Sequence, residues 1–255
     1  MTIEPFIDFQ GKRILVSGAS SGLGRAICIE LSKRGASLIL LGRDRERLME
    51  TASQLTKTEY HLLVLDLRAL SEIGPKLKAQ AREIGRIYGF CHSAGVVETR
   101  PLAALQLEGI RKILDVNFIS GIELARIISR KDIMEEDGGA ILFISSVYAR
   151  MGVAGQTIYC GSKGAVNAAA RAMAIELARR RIRVNTISPG LIRTAMTDSS
   201  LSILSNQQIM DLENAHPLGI GTPEDVARAA AFLLAPQNPW ITGEDLIIDG
   251  GLSAK

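Results

Sequence analysis

The 255-residue sequence contains few of the residues that build disulfide frameworks or metal sites. Its three cysteines, Cys28, Cys91 and Cys160, have neither paired spacing nor the spacing of zinc ligands. This pattern predicts free thiols in a reducing compartment, which favours a cytoplasmic protein. The three histidines are isolated from one another in the sequence. We therefore predict no metal site.

Long apolar runs and concentrated positive charge are also missing. No apolar run approaches the length of about 18 residues that a membrane-spanning helix needs, so no span is predicted. The segment Met1–Gln10 carries two acidic residues and no basic ones, unlike a secretory signal peptide. The net charge of +3 is small and the basic residues are scattered, so a nucleic-acid partner is not predicted.

Short apolar runs alternate with amphipathic stretches along the whole chain. This alternation predicts a Rossmann-type, doubly wound parallel sheet with helices on both faces, in a single α/β domain over residues 1–255. The predicted strands are Lys12–Ser17, Ser37–Leu41, His61–Leu65, Ile87–Cys91, Ala140–Ile144, Val184–Ile187 and Leu246–Ile248. The predicted helices are Arg25–Arg34, Arg45–Thr56, Glu72–Ile84, Glu108–Ile128, Ile158–Ala178 and Pro223–Leu234. The polar segment Arg193–Gly221 interrupts the pattern above a strand end, where we expect a substrate lid.

A glycine-rich turn joins the first predicted strand to the first helix. Gly18, Gly22 and Gly24 have the spacing G-x-x-x-G-x-G, which differs from the usual G-x-G-x-x-G of dinucleotide-binding folds. Gly18 suits the tight turn, Gly22 the close approach of a pyrophosphate, and Gly24 the packing of helix on strand. The amino terminus of the helix would favour the phosphate charge. The flanking strand and helix favour a cofactor loop over a plain connector.

Tyr159 and Lys163 lie four residues apart on a predicted helix and would share one face. A free tyrosine has a pKa near 10, and a close ammonium group would lower it towards the range useful for proton transfer. Ser146 follows an apolar strand and could donate a hydrogen bond to a developing oxyanion. A surface helix pair would have the same spacing, and the glycine loop is the feature that favours a catalytic site.

Taken in order, these motifs resemble those of the short-chain dehydrogenase/reductase family, from about Gly11 to Leu252. Ser17–Gly24 is similar to the family's TGxxxGxG loop, and Ser146, Tyr159 and Lys163 match its catalytic Ser and YxxxK. Asn117 falls at the catalytic Asn, Pro189, Gly190 and Thr194 match the PG-xxx-T segment, and Gly243 to Gly251 resembles the TG…DGG signature. The resemblance implies that the cofactor is bound by Gly18, Ser20, Ser21, Gly22, Leu23, Gly24, Arg43, Asp66, Leu67, Ser93, Ala94, Gly95, Tyr159, Lys163, Pro189, Gly190, Ile192 and Thr194.

One segment departs from the family pattern. The family's NNAG after the fourth strand reads His92-Ser93-Ala94-Gly95 here. Ala94 and Gly95 keep the close backbone approach to the cofactor ribose that the resemblance implies. His92 could be a core histidine or a group of the substrate pocket, and we favour the core.

The resemblance and the pKa argument together predict an oxidoreductase that interconverts a carbonyl and a secondary alcohol. Tyr159 would be the acid in reduction and the base in oxidation, while Asn117 would hold a water that relays protons to Lys163. Arg43 stands after the second strand, where an Arg suits the 2′-phosphate of NADP(H). We therefore predict a preference for NADP(H) over NAD(H). A non-catalytic NADP-binding sensor and a sugar-nucleotide-modifying relative remain as alternatives.

The helix that carries Tyr159 also has a stripe of small residues on one face. Ala165, Ala168, Ala169 and Ala172 follow i, i+3, i+4, i+7 spacing, which would let a second helix approach closely. The same spacing could pack on the chain's own sheet. Dihedral tetramers are common in the resembled family, so we predict a homotetramer built through helical faces and the C-terminal strand.

Overall fold

A computed structural model of the protein describes residues 7–195, 197, 201 and 205–254. Seven parallel strands form one sheet in the order β3-β2-β1-β4-β5-β6-β7. The strands are β1 (Arg13–Ser17), β2 (Ser37–Gly42), β3 (Tyr60–Val64), β4 (Gly89–His92), β5 (Gly139–Ile144), β6 (Ile182–Pro189) and β7 (Asp245–Ile248). The predicted doubly wound parallel sheet is confirmed, with boundaries that differ by up to two residues.

The order of the strands reverses between β1 and β4. From β1 the chain builds outward through β2 and β3, then crosses back to place β4 on the other side of β1. Ser17 at the end of β1 pairs in register with Leu41 on one side and His92 on the other. Such a switch in direction opens a crevice at the carboxyl ends of the strands, which is where α/β proteins bind ligands.

Eight α-helices are described, together with one π-helical turn over Asp115–Ile119. The helices are α1 (Gly22–Lys33), α2 (Arg45–Ala52), α3 (Leu70–Ile84), α4 (Leu107–Leu114), α5 (Ser120–Ile128), α6 (Thr157–Leu177), α7 (Asn206–Ala215) and α8 (Pro223–Leu234). The stretch predicted as one helix over Glu108–Ile128 is therefore divided into α4, the π turn and α5. The π turn contains Asn117, whose side chain forms contacts outside its own helix.

The alternation of buried side chains along the strands gives the sheet an apolar layer on each face. On one face, Ile14 and Val16 pack with residues of α1 and α8, among them Ile27 and Val226. On the other face, Leu15 packs with residues of α3, α5 and α6. Strands that are buried on both faces are typical of parallel sheets. The two layers hold the carboxyl-end loops in place above the sheet.

Within the described ranges, none of the helices combines the length and hydrophobicity required to cross a bilayer. The same part of the chain contains no cluster of three or more His, Cys, Asp or Glu side chains suited to a metal ion. All three cysteines are free, with Cys28 and Cys91 buried and Cys160 partly exposed.

Candidate active site

A cleft of about 780 Å³ opens at the carboxyl ends of the strands. All eighteen predicted cofactor-binding residues line it, from Gly18 in the first loop to Thr194 after β6. Ser146 lines the same cleft as Tyr159 and Lys163. Asn117, the fourth predicted catalytic residue, is fully buried and is not among the described lining residues. The fold thus brings together residues from six segments that are distant in the sequence.

The glycine loop after β1 has no room for side chains at two positions. Gly18 has φ +70°, and a Cβ there would lie 2.8 Å from the Ala94 backbone. A Cβ on Gly24 would lie 2.2 Å from the Gly18 carbonyl oxygen, so this glycine lets α1 begin directly against the loop. Ser21 caps α1 without a side-chain hydrogen bond to the helix. The first residues of α1, Gly22 to Gly24, line the cleft, and a helix amino terminus of this kind favours a phosphate group.

Tyr159 and Lys163 lie on the first turns of α6. Lys163 is 4% exposed, its Nζ donates a hydrogen bond of 2.8 Å to the Ile144 carbonyl, and it lies 5.7 Å from the centre of the Tyr159 ring. Ser146, just beyond β5, accepts a hydrogen bond of 3.2 Å from the Tyr148 N–H. Because the Lys163 side chain is buried, Tyr159 and Lys163 are not a solvated pair on the surface of a helix.

The pKa of Tyr159 differs from the sequence-based expectation, and the pKa of Lys163 is shifted as well. Burial raises the pKa of Tyr159 to about 12, although hydrogen bonding with the Ser146 side chain acts in the opposite direction. Burial also lowers the pKa of Lys163 to about 8. Lys163 was predicted to lower the pKa of Tyr159 from its ordinary value near 10. This prediction is wrong, because the loss of water around the buried phenol raises the pKa by more than nearby groups lower it. Lys163 nevertheless keeps its charge at neutral pH.

Asn117 uses both atoms of its side-chain amide on a neighbouring loop. Its Oδ1 accepts a hydrogen bond of 2.7 Å from the Val96 N–H, and its Nδ2 donates to the Val96 carbonyl at 2.9 Å. Nδ2 also donates to Ser162 Oγ at 3.1 Å, and Ser162 donates to the Tyr159 carbonyl at 2.8 Å. The amide therefore joins the loop after β4 to the helix of Tyr159.

The opposite end of the cleft has an excess of positive charge. Arg43, Arg47 and Arg68 line it together with a single carboxylate, Asp66. Arg68 Nη2 pairs with Asp66 Oδ2 at 2.6 Å, and this hydrogen bonding lowers the pKa of Asp66 to about 2, with a smaller contribution from the charge of Arg43. Asp44 accepts a hydrogen bond from the Arg47 N–H and caps α2. Three arginines and one aspartate leave a net charge of about +2 among the described lining groups here.

Comparison with known proteins agrees with this geometry. Residues 18–253 match the family model described as enoyl-(acyl carrier protein) reductase. The chain belongs to the short-chain dehydrogenase/reductase family.

Curated relatives in this family span nearly the whole chain. The 3-oxoacyl-[acyl-carrier-protein] reductase of Rickettsia bellii is 33% identical, covering 96% of this chain and 98% of the relative. The L-xylulose reductase of Caenorhabditis elegans is 31% identical, covering 96% and 97%. The carbonyl reductase family member 4 of Xenopus tropicalis is 34% identical, covering 94% and 97%. The chain is accordingly an oxidoreductase of the short-chain type.

Solved structures of the family have the same fold. A short-chain type dehydrogenase/reductase from Mycobacterium marinum superposes with a TM-score of 0.88 at 28% identity, covering 100% of both chains. A dehydrogenase/reductase from Sinorhizobium meliloti gives a TM-score of 0.89 at 27% identity, covering 96% of both.

The segment that departs from the family motif lies partly outside the cleft. His92 is 1% exposed and packs against the Phe90 and Phe143 rings, at centroid distances of 6.0 and 5.9 Å. Its position confirms a core histidine and excludes a group of the substrate pocket. Ser93 does line the cleft, and its buried Oγ has no hydrogen-bond partner among the described residues.

Several lining residues were not predicted from the sequence. Tyr148 packs edge-on against Tyr159, with ring centres 6.4 Å apart, and Gln156 donates to Thr99 Oγ1 at 2.7 Å. Both line the cleft. Their closeness in sequence to Ser146 and Tyr159, which are predicted catalytic residues, is a signal that could have identified them.

The predicted lid over Arg193–Gly221 is described in part, and residues 196, 198–200 and 202–204 lie outside the described residues. In the described part, α7 contributes Gln208, Asp211 and Leu212 to the cleft. His216, just after α7, accepts a hydrogen bond of 3.2 Å from the Leu191 N–H and donates one of 2.7 Å to the Leu212 carbonyl. This imidazole joins α7 to the loop after β6, and the isolated histidine gave no such signal in the sequence.

Proposed function

We propose that this protein is an NADP(H)-dependent oxidoreductase that interconverts a carbonyl group and a secondary alcohol. The observation that carries this proposal is that Tyr159, Lys163 and Ser146 line the same cleft as the glycine loop. An acid–base group, a cation beside it and a hydroxyl donor are the groups that carbonyl reduction needs.

The loop fits a dinucleotide because its backbone is bare where a pyrophosphate would approach. Gly22, at φ +50°, leaves no side chain towards Thr194 of the same cleft, and Gly18 and Gly24 let the loop pack closely under it. The amino terminus of α1 begins at this loop and would favour a phosphate. Ser93, whose buried hydroxyl is unpaired among the described residues, adds a hydrogen-bonding group on the same wall. A bound nicotinamide cofactor would supply the hydride in reduction and accept it in oxidation.

The chain's own residues would manage the proton. In reduction, the Tyr159 hydroxyl gives its proton to the carbonyl oxygen as hydride reaches the carbon, which leaves an alcohol and a phenolate. Ser146 Oγ–H donates a hydrogen bond to the same oxygen while its negative charge grows. Lys163, charged below its pKa of about 8, stabilises the phenolate. Alcohol oxidation reverses each transfer. Asn117, buried beside Val96, would hold the water that passes protons to Lys163.

The preference for NADP(H) is supported by the charges at the far end of the cleft. A 2′-phosphate needs cations and no competing carboxylate. Asp44 is occupied as the cap of α2, and Asp66 is paired with Arg68, so Arg43 and Arg47 are the cations left to meet the phosphate. Among the described residues that line this end of the cleft, no carboxylate is left unpaired to bind the ribose 2′-hydroxyl of NAD(H).

We further propose a cytoplasmic homotetramer with a small-molecule substrate. The small-residue stripe does not pack on the sheet: Ala168 and Ala172 are exposed, Ala165 and Ala169 are partly exposed, and the neighbouring Ile175 is 80% exposed. A close helix contact with a second copy would cover these residues. Light scattering at micromolar concentration tests this assembly, and a mass near the 27.5 kDa of one chain would contradict it.

The catalytic proposal is tested by a panel of ketones and alcohols with both cofactors, followed by the absorbance of the reduced nicotinamide. The panel should include oxoacyl thioesters and ketoses, because relatives named for both classes are similarly close to this chain. Tyr159→Phe should lower the rate by about 10²–10⁴-fold. Its cofactor affinity should stay near that of the wild type.

Two outcomes would favour the alternatives. Cofactor binding without turnover of any carbonyl or alcohol would favour a non-catalytic sensor. Activity on a sugar nucleotide alone would favour a sugar-nucleotide-modifying relative.

A Tyr159→Phe variant that keeps more than about a tenth of the rate would exclude the tyrosine as the acid–base group.

A further inference from the structure

His92 joins three segments that meet behind the cleft. Its Nε2 lies 3.2 Å from the Val116 carbonyl oxygen, and its Nδ1 lies 2.9 Å from Ser17 Oγ. Ser17 Oγ in turn accepts a hydrogen bond of 3.3 Å from the Ala94 N–H. The end of β1, the loop after β4 and the π turn are thus connected through one buried ring.

These contacts determine the tautomer of the ring. A carbonyl oxygen can only accept, so the proton must be on Nε2, and Nδ1 then accepts from the Ser17 hydroxyl. Burial, with the nearby charge of Lys163, lowers the pKa of His92 to about 3, so the ring is neutral. A neutral ring with one donor and one acceptor satisfies both partners.

The partner of Nε2 belongs to the irregular part of the helix. In an α-helix the Ser120 N–H would bond to the Val116 carbonyl, but here it donates to the Asp115 carbonyl. The Val116 carbonyl instead accepts from Ser120 Oγ at 2.9 Å and from His92. The imidazole therefore supplies a hydrogen bond at the point where the helix is wound more widely.

Asn117 follows directly after this carbonyl. From Asn117 the hydrogen bonds continue through Ser162 Oγ to the Tyr159 carbonyl. Asn117 Oδ1 and Lys163 Nζ also flank Gly95, each 3.6 Å from where its Cβ would be. A shift of the π turn would thus displace Asn117 and change its position relative to Lys163, and both are proposed to act in proton transfer.

We propose that His92 is a positioning residue for the reaction: its ring fixes the π turn through the Val116 carbonyl and thereby holds Asn117, Ser162 and the Tyr159 helix in register. The expected effect of His92 on kcat rests on the proposed function. This effect arises from the hydrogen bonds of the imidazole, rather than from the volume of the side chain alone.

The test compares His92→Gln with His92→Met. The glutamine amide offers a donor and an acceptor at the reach of the imidazole, whereas methionine fills similar space without them. His92→Met should lose about 10²-fold in kcat, because small misplacements of reacting groups have effects of that size. Its KM and its affinity for the reduced cofactor should change much less. His92→Gln should recover most of kcat. His61→Met, at a partly exposed histidine on β3, is the control and should match the wild type.

Spectroscopy separates this proposal from the proposed function. With ¹⁵N-labelled histidine and asparagine, His92 should show the neutral Nε2–H tautomer, unchanged between pH 5 and 8. The side-chain amide signal of Asn117 should shift in His92→Met and return in His92→Gln, whether or not a substrate is turned over. Equal kcat in the wild type and His92→Met, equal losses in both variants, or an Nδ1–H tautomer would each overturn the proposal. If His92→Met does not fold, the tautomer and the His92→Gln kinetics decide.

Discussion

Gly121 and His92 are in direct contact, with space for no further atom between them. A Cβ on Gly121 would lie 2.8 Å from His92 Cδ2 and 3.0 Å from Nε2. Gly121 lies on the first turn of α5, immediately after the π turn. The absence of a side chain there is what allows the ring to reach the Val116 carbonyl.

Gly121→Ala should therefore destabilise the protein. Overpacking of a buried site costs typically about 1–3 kcal/mol, which exceeds the gain in helix propensity of about 1 kcal/mol. Gly161→Ala, in α6, is the matched control, since its Cβ would meet nothing within 4 Å. We expect a lower midpoint of thermal unfolding for the first variant and an unchanged or higher one for the second. Equal midpoints would show that the ring moves aside freely.

The buried His92 should make folding stability depend on pH in mildly acidic solution. Its pKa is about 3 in the folded protein against an ordinary value of 6.5. The unfolded chain therefore takes up a proton as the pH falls below 6.5, while the folded protein does not, so stability decreases through this window. Denaturant unfolding of His92→Gln should show a smaller decrease between pH 6.5 and 4.5. Parallel curves for the variant and the wild type would exclude a neutral buried ring.

Lys163 should give carbonyl reduction a descending limb at alkaline pH. Its ammonium is present below a pKa of about 8, and above this pH the charge that we propose stabilises the Tyr159 phenolate would be lost. Tyr159, with a pKa of about 12, keeps its proton over the same range. We expect kcat/KM to fall above about pH 8. Lys163→Arg keeps its charge there, so its limb should move to higher pH. A wild-type profile that stays flat well above pH 8 would contradict this assignment.

Arg43 should determine the choice of cofactor. Hydrogen bonds to charged groups contribute about 1.5–3 kcal/mol, so Arg43→Ala should lower kcat/KM for NADPH by roughly ten- to a hundredfold. The value for NADH should change little. Arg45→Ala, an exposed neighbour that is not among the described lining residues, is the control. Titration of each variant with 2′,5′-ADP gives a readout that is independent of turnover. Equal use of both cofactors by the wild type would rule out this role.

The sequence predicts features whose cause is local. The glycine spacing after β1 and the four-residue step from Tyr159 to Lys163 are properties of a turn and of a helix, so they can be identified without the rest of the chain. Apolar runs bounded by polar residues identified the strands for the same reason. Pro223, following Thr222, marked the first residue of α8.

Other features depend on partners far away in the sequence. The π turn contains Asn117, whose amide bonds to Val96, 21 residues earlier, whereas the run Glu108–Ile128 has the periodicity of one continuous helix. His92 meets Ser17, 75 residues earlier. Neither contact has a spacing that a sequence pattern could show.

The sequence by itself determined the alternation of strands and helices and the motifs that carry the family resemblance, because short-range spacing encodes these. Lining residues such as Tyr148 and Gln156 were not identified from it. Only the tertiary structure decided how the residues behave. Burial raised the pKa of Tyr159 and lowered that of Lys163, and the packing of β4 against the π turn made His92 a neutral core residue. Solvation and hydrogen bonding depend on which groups surround an atom in space, and folding alone brings those groups together.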